Sequence, residues 1–151
     1  KFWVGAGITR RRPHRVGLVI VGSTYAAAEV DRVIEAALTA HKSAQGNISP
    51  PRPSIALATQ IAYTTSLPQQ DILALTWSQY SDGGITVTQK KKRGGRELWI
   101  PLSQETRQML DDTERTSNHI IVNEQTGQPY TNKNIFGKAF GKVRKWADIE
   151  R

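Results

Sequence analysis

The amino-acid sequence predicts a mixed α+β fold, mostly helical, with a small antiparallel β-sheet, and three observations carry that expectation. Residues 26–38 and 135–147 each repeat apolar side chains at helical spacing. Residues 55–63 are almost all apolar and small, which fits a buried helix. Residues 85–102 alternate apolar and other side chains on either side of Gly94-Gly95, which fits a β-hairpin.

Each element follows in order. Residues 1–24 hold a Phe-Trp-Val start, an arginine run, Pro13 and a β-branched stretch, and read as a linker or the tail of a preceding domain. From residue 25 onward the pattern is that of one domain. Ala26, Val30, Val33, Ile34, Ala37 and Leu38 form one helix face, with Glu29, Asp31, Arg32 and Glu35 among the remaining positions. Residues 42–53 carry Gly46 and three prolines and predict a loop. After the buried helix, Ser66 is expected to cap a second helix with Pro68 in its first turn, where a missing N–H costs little. Asp82-Gly83-Gly84 predicts a turn before the hairpin, whose tip, residues 90–96, is strongly cationic. Ser103 predicts the N-cap of a short helix, with Thr106 at the position where a capping box prefers Glu. Ile120-Ile121-Val122 reads as a strand, Thr126-Gly127-Gln128-Pro129 as a turn, and the last helix buries Ile135, Phe136, Ala139, Phe140, Val143, Trp146 and Ala147. Trp3, Trp77, Trp99 and Trp146 are expected to anchor the core or its edge.

Composition narrows the function. The 151 residues suit one domain with flanking segments, and 38% hydrophobic content supports a single modest core. Twenty-one Lys and Arg against 13 Asp and Glu give a net charge of +8, which favours a polyanionic partner through counterion release. The charge is clustered. Arg10, Arg11, Arg12 and Arg15 crowd the start, and no Lys or Arg occurs from Pro53 to Gln89. Lys90, Lys91, Lys92, Arg93 and Arg96 then arrive together, and Lys138, Lys142 and Lys145 share one face of the last helix. With no cysteine, disulfides and thiolate metal sites are excluded. His14, His41 and His119 lack ligand spacing and read as surface or structural residues, so no metal and no cofactor are expected. The run Val16–Val21 is too short to span a bilayer, and a cytoplasmic protein without membrane partners is the default expectation.

Residues 61–77, Ile-Ala-Tyr-Thr-Thr-Ser-Leu-Pro-Gln-Gln-Asp-Ile-Leu-Ala-Leu-Thr-Trp, resemble the first signature box of the tyrosine recombinases of phage-integrase type. That box runs from an apolar helix through Thr-Gly-x-Arg-x-x-Glu/Asp to Leu-x-Leu-x-Trp. Ile85–Gln89, the lysine-rich tip and Leu98–Leu102 are similar to the family's sheet and hairpin, and residues 123–131 to its turn before a helix. Gly7–Pro13 resembles the end of the preceding core-binding domain. The resemblance runs in order along nearly the whole chain.

It implies a partial catalytic domain over residues 25–151, duplex DNA as partner, and DNA integration and recombination through a 3′-phosphotyrosyl intermediate without metal or cofactor. It implies a homo-oligomer on DNA, whereas free in solution a monomer is expected. Lys92 best matches the lysine that protonates the leaving 5′-oxygen, with Lys91 one step away; Asp71 matches the supporting acid of the first box. The basic sets Arg10, Arg11, Arg12, Lys90, Lys91, Arg93, Arg96, Lys138, Lys142 and Lys145 are the candidate DNA contacts. Two departures matter. The box arginine falls on Pro68 and the box glycine on Ser66. The second box, His-x-x-Arg followed by the tyrosine nucleophile, is expected beyond Arg151, and Tyr25, Tyr63, Tyr80 and Tyr130 do not match the nucleophile's place. This chain alone is therefore expected to be inactive. A non-catalytic prophage relic that binds DNA, and a basic RNA-binding protein, are the alternatives.

Overall fold

The computed structural model describes residues 18–20, 23–89 and 95–149. The sequence predicts no element before residue 26, yet β1 (Leu18–Ile20) and β2 (Ser23–Tyr25) pair antiparallel, Leu18 opposite Tyr25. α1 (Ala27–Ala37) follows, burying Val30, Val33, Ala36 and Ala37. Ala26 has no side-chain oxygen with which to cap it, and Glu29 Oε1 accepts from the Ala26 N–H at 3.0 Å.

The expected loop over residues 42–53 is in part a small hairpin. β3 (His41–Lys42) pairs with β4 (Ile48–Ser49) across a turn containing Gly46 at φ +90°. Neither strand is longer than two residues, too short to show a period in sequence. Pro53 starts α2 (Pro53–Thr65), at the first-turn position where its missing N–H costs no bond. α2 buries every residue from Ser54 to Thr59, then Ile61 and Ala62, and it packs against α1, α4 and α5. A helix apolar on all sides belongs in the centre, and its small side chains let neighbours approach. The Thr59 and Thr65 hydroxyls donate to the carbonyls four residues back, so they are buried or half-buried at little cost.

The junction after α2 differs from expectation. Ser66 does not begin the next helix; it ends α2, in the left-handed region at φ 62°, with its N–H on the Ala62 carbonyl. Pro68 is the N-cap of α3 (Gln69–Leu73), not a residue of its first turn. A 3-10 turn over Trp77–Gln79 leads into the sheet, with the Gln79 side chain accepting from the Thr76 N–H.

β5 (Tyr80–Ser81), β6 (Gly84–Gln89) and β7 (Arg96–Pro101) form an antiparallel sheet in that order. Asp82 and Gly83 make a two-residue hairpin loop at φ 54° and 76°, a type I′ turn whose twist matches the strands it joins. In the β6–β7 register Ile85 faces Ile100, Val87 faces Leu98 and Gln89 faces Arg96. Ile85 and Val87 are buried on the helices' side. Thr86 lies opposite Trp99 on the other face. Trp99 is not the expected core anchor. It is 47% exposed, lies across Gly84, where a Cβ would overlap its ring, and donates to the Ser81 carbonyl. Trp77 is buried and Trp146 half-buried as expected, and Trp3 lies outside the described residues.

α4 (Gln104–Asp111) is capped by Ser103, whose hydroxyl accepts from the Thr106 N–H at 3.2 Å. The structure explains the threonine at that third position. Buried Thr106 accepts from Gln60 Nε2 at 3.0 Å and meets the Thr64 hydroxyl, tying α4 to α2, which a glutamate's charge would prevent. The expected strand at residues 120–122 is shifted. β8 is Val122–Asn123 and pairs with β9 (Gln128–Pro129), so Gln128 and Pro129 belong to a strand and the turn lies before them. Ile120 and Ile121 are buried but outside the strand, and burial alone accounts for their apolar run. α5 (Lys133–Trp146) buries Phe136, Ala139, Phe140 and Val143, whereas Ile135 is exposed, contrary to expectation, because it lies in the helix's open first turn. Asn132 Oδ1 caps its start. Its end is a Schellman motif: Asp148 at φ 62°, Asp148 N to the Lys145 carbonyl, Ile149 N to the Arg144 carbonyl, and Ile149 buried. Arg32 of α1 donates to the Ala147 and Asp148 carbonyls there.

Candidate nucleic-acid interface

The box-one turn is a helix stop and a helix start three residues apart. Ser66 turns the backbone through the left-handed region, which favours glycine, and this supplies the physical reason for the glycine of the resembled pattern. Pro68 is exposed, and its carbonyl accepts from Asp71 N at 3.0 Å and from Ile72 N at 3.1 Å. It carries neither a side-chain donor nor a charge. Asp71 stands exposed in the first turn of α3, where a carboxylate complements the helix dipole.

Of the basic candidates, Arg10, Arg11, Arg12, Lys90, Lys91, Lys92 and Arg93 lie outside the described residues. Arg96 begins β7, exposed, at the loop end of the hairpin opposite Gln89. Lys138, Lys142 and Lys145 are exposed along α5. Among the described residues no hydrogen bond or ion pair joins these basic groups to Asp71 or to one another. Nor do three or more His, Asp or Glu gather into a metal-binding group, and no described helix is long and apolar enough to cross a membrane.

Beneath α5 lies a polar network that sequence reasoning missed. Arg52, only 6% exposed, pairs with Glu124 through Nε at 2.9 Å and donates through Nη2 to Tyr130 Oη at 2.9 Å and Asn123 Oδ1 at 3.2 Å. Glu124 also accepts from the Ser54 backbone N–H and from the Ser54 hydroxyl. Ser54 N is one of the donors that the start of α2 leaves without an intrahelical partner, so Glu124 caps α2 from a distant turn. Burial alone would lower the Arg52 pKa, but the hydrogen bond and charge of Glu124, with those of Tyr130, outweigh it and raise it. Burial raises the Tyr130 phenol, against the opposing pull of Ser54 and Arg52. Tyr80 is also raised, by burial and then by its hydrogen bond to Asp111. Neither phenol is set up as a phenolate nucleophile. Because 72 residues separate Arg52 from Glu124, no local spacing pointed to the pair.

The central helix, the box-one turn, the small sheet with its hairpin and the capped last helix together define the catalytic-domain fold of the tyrosine recombinases. The catalytic core of lambda integrase is similar to this chain with a TM-score of 0.60 and 21% identity, over 89% of this chain and 75% of that one. Lambda integrase residues 75–356 bound to DNA match with a TM-score of 0.60 and 21% identity, over 94% of this chain and 46% of that one. XerA recombinase matches with a TM-score of 0.58 and 14% identity, over 95% of this chain and 47% of that one. The chain thus spans most of an isolated catalytic core but less than half of the longer proteins. No family model and no curated protein sequence matches it.

Proposed function

We propose that this chain is a catalytic-domain segment of a phage-integrase-type tyrosine recombinase that binds duplex DNA chiefly through its phosphates. The observation that carries the reading is the fold, shared over 89% of the chain with the lambda integrase catalytic core, in a protein of net charge +8. Arg96, the hairpin tip and the Lys138, Lys142 and Lys145 face are the DNA contacts, and Lys92 or Lys91 is the residue placed to protonate a leaving 5′-oxygen. On DNA the protein assembles with further copies, as does the lambda integrase tetramer bound to a Holliday junction.

The segment does not support efficient strand cleavage. A transition-state phosphoryl group needs fixed donors, and Pro68 occupies the place of the first-box arginine with no Lys or Arg between Pro53 and Gln89 to take over. Loss of such a donor costs on the order of 3–4 kcal/mol, whatever a second box supplies. The test incubates the product of the complete gene with a nicked suicide duplex and, separately, measures duplex affinity. Tight, salt-sensitive duplex binding with no covalent adduct is expected. A covalent adduct at ordinary rates refutes the inactivity, and preference for structured RNA at matched salt refutes the DNA assignment.

A further inference from the structure

We propose that the open cavity beside Trp77 is a phosphate site, in which Arg115 receives a phosphodiester of duplex DNA; the duplex as source rests on the function proposed above. The cavity, about 780 Å³, is lined by Trp77, Arg115 and a set of hydroxyl and amide side chains, and by no carboxylate. The Arg115 guanidinium lies over the Trp77 ring, 4.4 Å from its centroid. Trp77 is a firm base for it, 9% exposed, with its backbone N–H on the Asn118 carbonyl at 2.9 Å. Ile120 N donates to the Leu75 carbonyl at 3.0 Å, so the segment carrying Arg115 is tied to the strand of chain carrying Trp77.

Stacking occupies a face of the guanidinium and leaves its N–H groups, which lie in the plane, pointing outward. Among the described residues no side chain or carbonyl accepts from them. The nearby carboxylate of Asp111 already accepts from Tyr80. The Ser117 hydroxyl is also poised to donate: its Oγ accepts from His119 N, which leaves its own proton available, whereas the Thr76 hydroxyl already donates to Gln79 Oε1. A planar cation with unclaimed donors, in a cavity lined by hydroxyls and by no carboxylate, suits a tetrahedral oxyanion with several acceptor oxygens. The cavity shares Thr76 and Trp77 with the segment that resembles the first box, but Arg115 lies outside every segment that carries the resemblance. The pairing of Arg115 with Trp77 is a product of tertiary structure.

The experiment follows the Arg115 Nε–H and Trp77 indole N–H resonances of the whole chain while inorganic phosphate, and then a 20-base-pair duplex, is added. In parallel, duplex affinity is measured against salt for the wild type, Arg115→Gln and Arg115→Lys. The proposal expects both resonances to move with phosphate and with duplex. It expects Arg115→Gln to weaken duplex binding about tenfold and to lower the salt slope by about 0.9, with Arg115→Lys between. Because Arg115 is exposed, the variants are expected to keep the wild-type far-UV spectrum. Duplex binding that ignores both substitutions, with resonances unmoved by phosphate, overturns the site and leaves the proposed function standing. Resonances that move with phosphate in a chain that binds no duplex overturn the duplex assignment and, with it, the proposed function.

Discussion

Replacing Glu124 with alanine removes three interactions at once: the ion pair with Arg52, the cap on Ser54 N and the bond from the Ser54 hydroxyl. Arg52 stays behind at 6% exposure, with only Asn123 and Tyr130 to receive its donors. Breaking a fully buried pair from one side costs about 3–5 kcal/mol. The Glu124 side chain is 28% exposed, so water recovers part of that, and a loss of about 2–3 kcal/mol is expected. For a chain of this size that lowers Tm by about 4–12 °C. Urea denaturation of the wild type, Arg52→Met, Glu124→Ala and the double variant measures it. The double variant should be less destabilised than the sum of the singles by more than about 1 kcal/mol, because removing Arg52 also removes the stranded charge. A Glu124→Ala loss below about 1 kcal/mol, or additive singles, would show that the network is surface decoration and that Glu124 does not hold the start of α2.

Other expectations follow from the same geometry. Ser66→Gly should stabilise the chain by about 0.5–1 kcal/mol, since Ser66 is exposed and sits at φ 62°, while Ser66→Val should destabilise it; thermal melts with the opposite order refute the left-handed stop. Gly84→Ala should cost about 1–3 kcal/mol and shift the emission of Trp99, because the new methyl would drive into that ring and the Ile100 carbonyl; unchanged stability and emission argue against the close packing. Tyr130 has a pKa raised above 10.0 in the folded chain, so the folded state holds its proton more tightly than the unfolded state. Its stabilisation is present below pH 10 and lost as pH rises through the folded value, and Tyr80 acts in the same direction. Tyr130→Phe should start less stable, with Arg52 and Ser54 short of a partner, yet lose less between pH 8 and pH 11; an equal alkaline loss in both proteins refutes the assignment. Replacing Lys138, Lys142 and Lys145 together by alanine should leave folding intact and reduce the salt slope of duplex binding by up to about 2.7; an unchanged slope removes α5 from the interface.

Periodic features were legible in the chain itself. The 3.6-residue rhythm of α1 and α5 and the all-round apolarity of α2 appear as helices, and the alternation of β6 and β7 as paired strands, because burial demands those spacings wherever the elements pack. What sequence could not decide is either too short to show a period or joins positions far apart along the chain. Two-residue strands such as β3 and β8 pair with strands only a few residues on, but no period can form in two residues. Trp99 reads as a core residue by type but faces outward, because the strand register sends Ile100 inward and leaves Trp99 to cover Gly84. Serine as a residue type does not favour the left-handed region, so only the folded backbone shows that α2 stops at Ser66. The Arg52–Glu124 network and the stacking of Arg115 on Trp77 likewise join positions 72 and 38 residues apart. Residue types and their spacing determined which segments are helix or strand, and only the folded chain decided which charges meet, since an electrostatic contact is a property of distance in space.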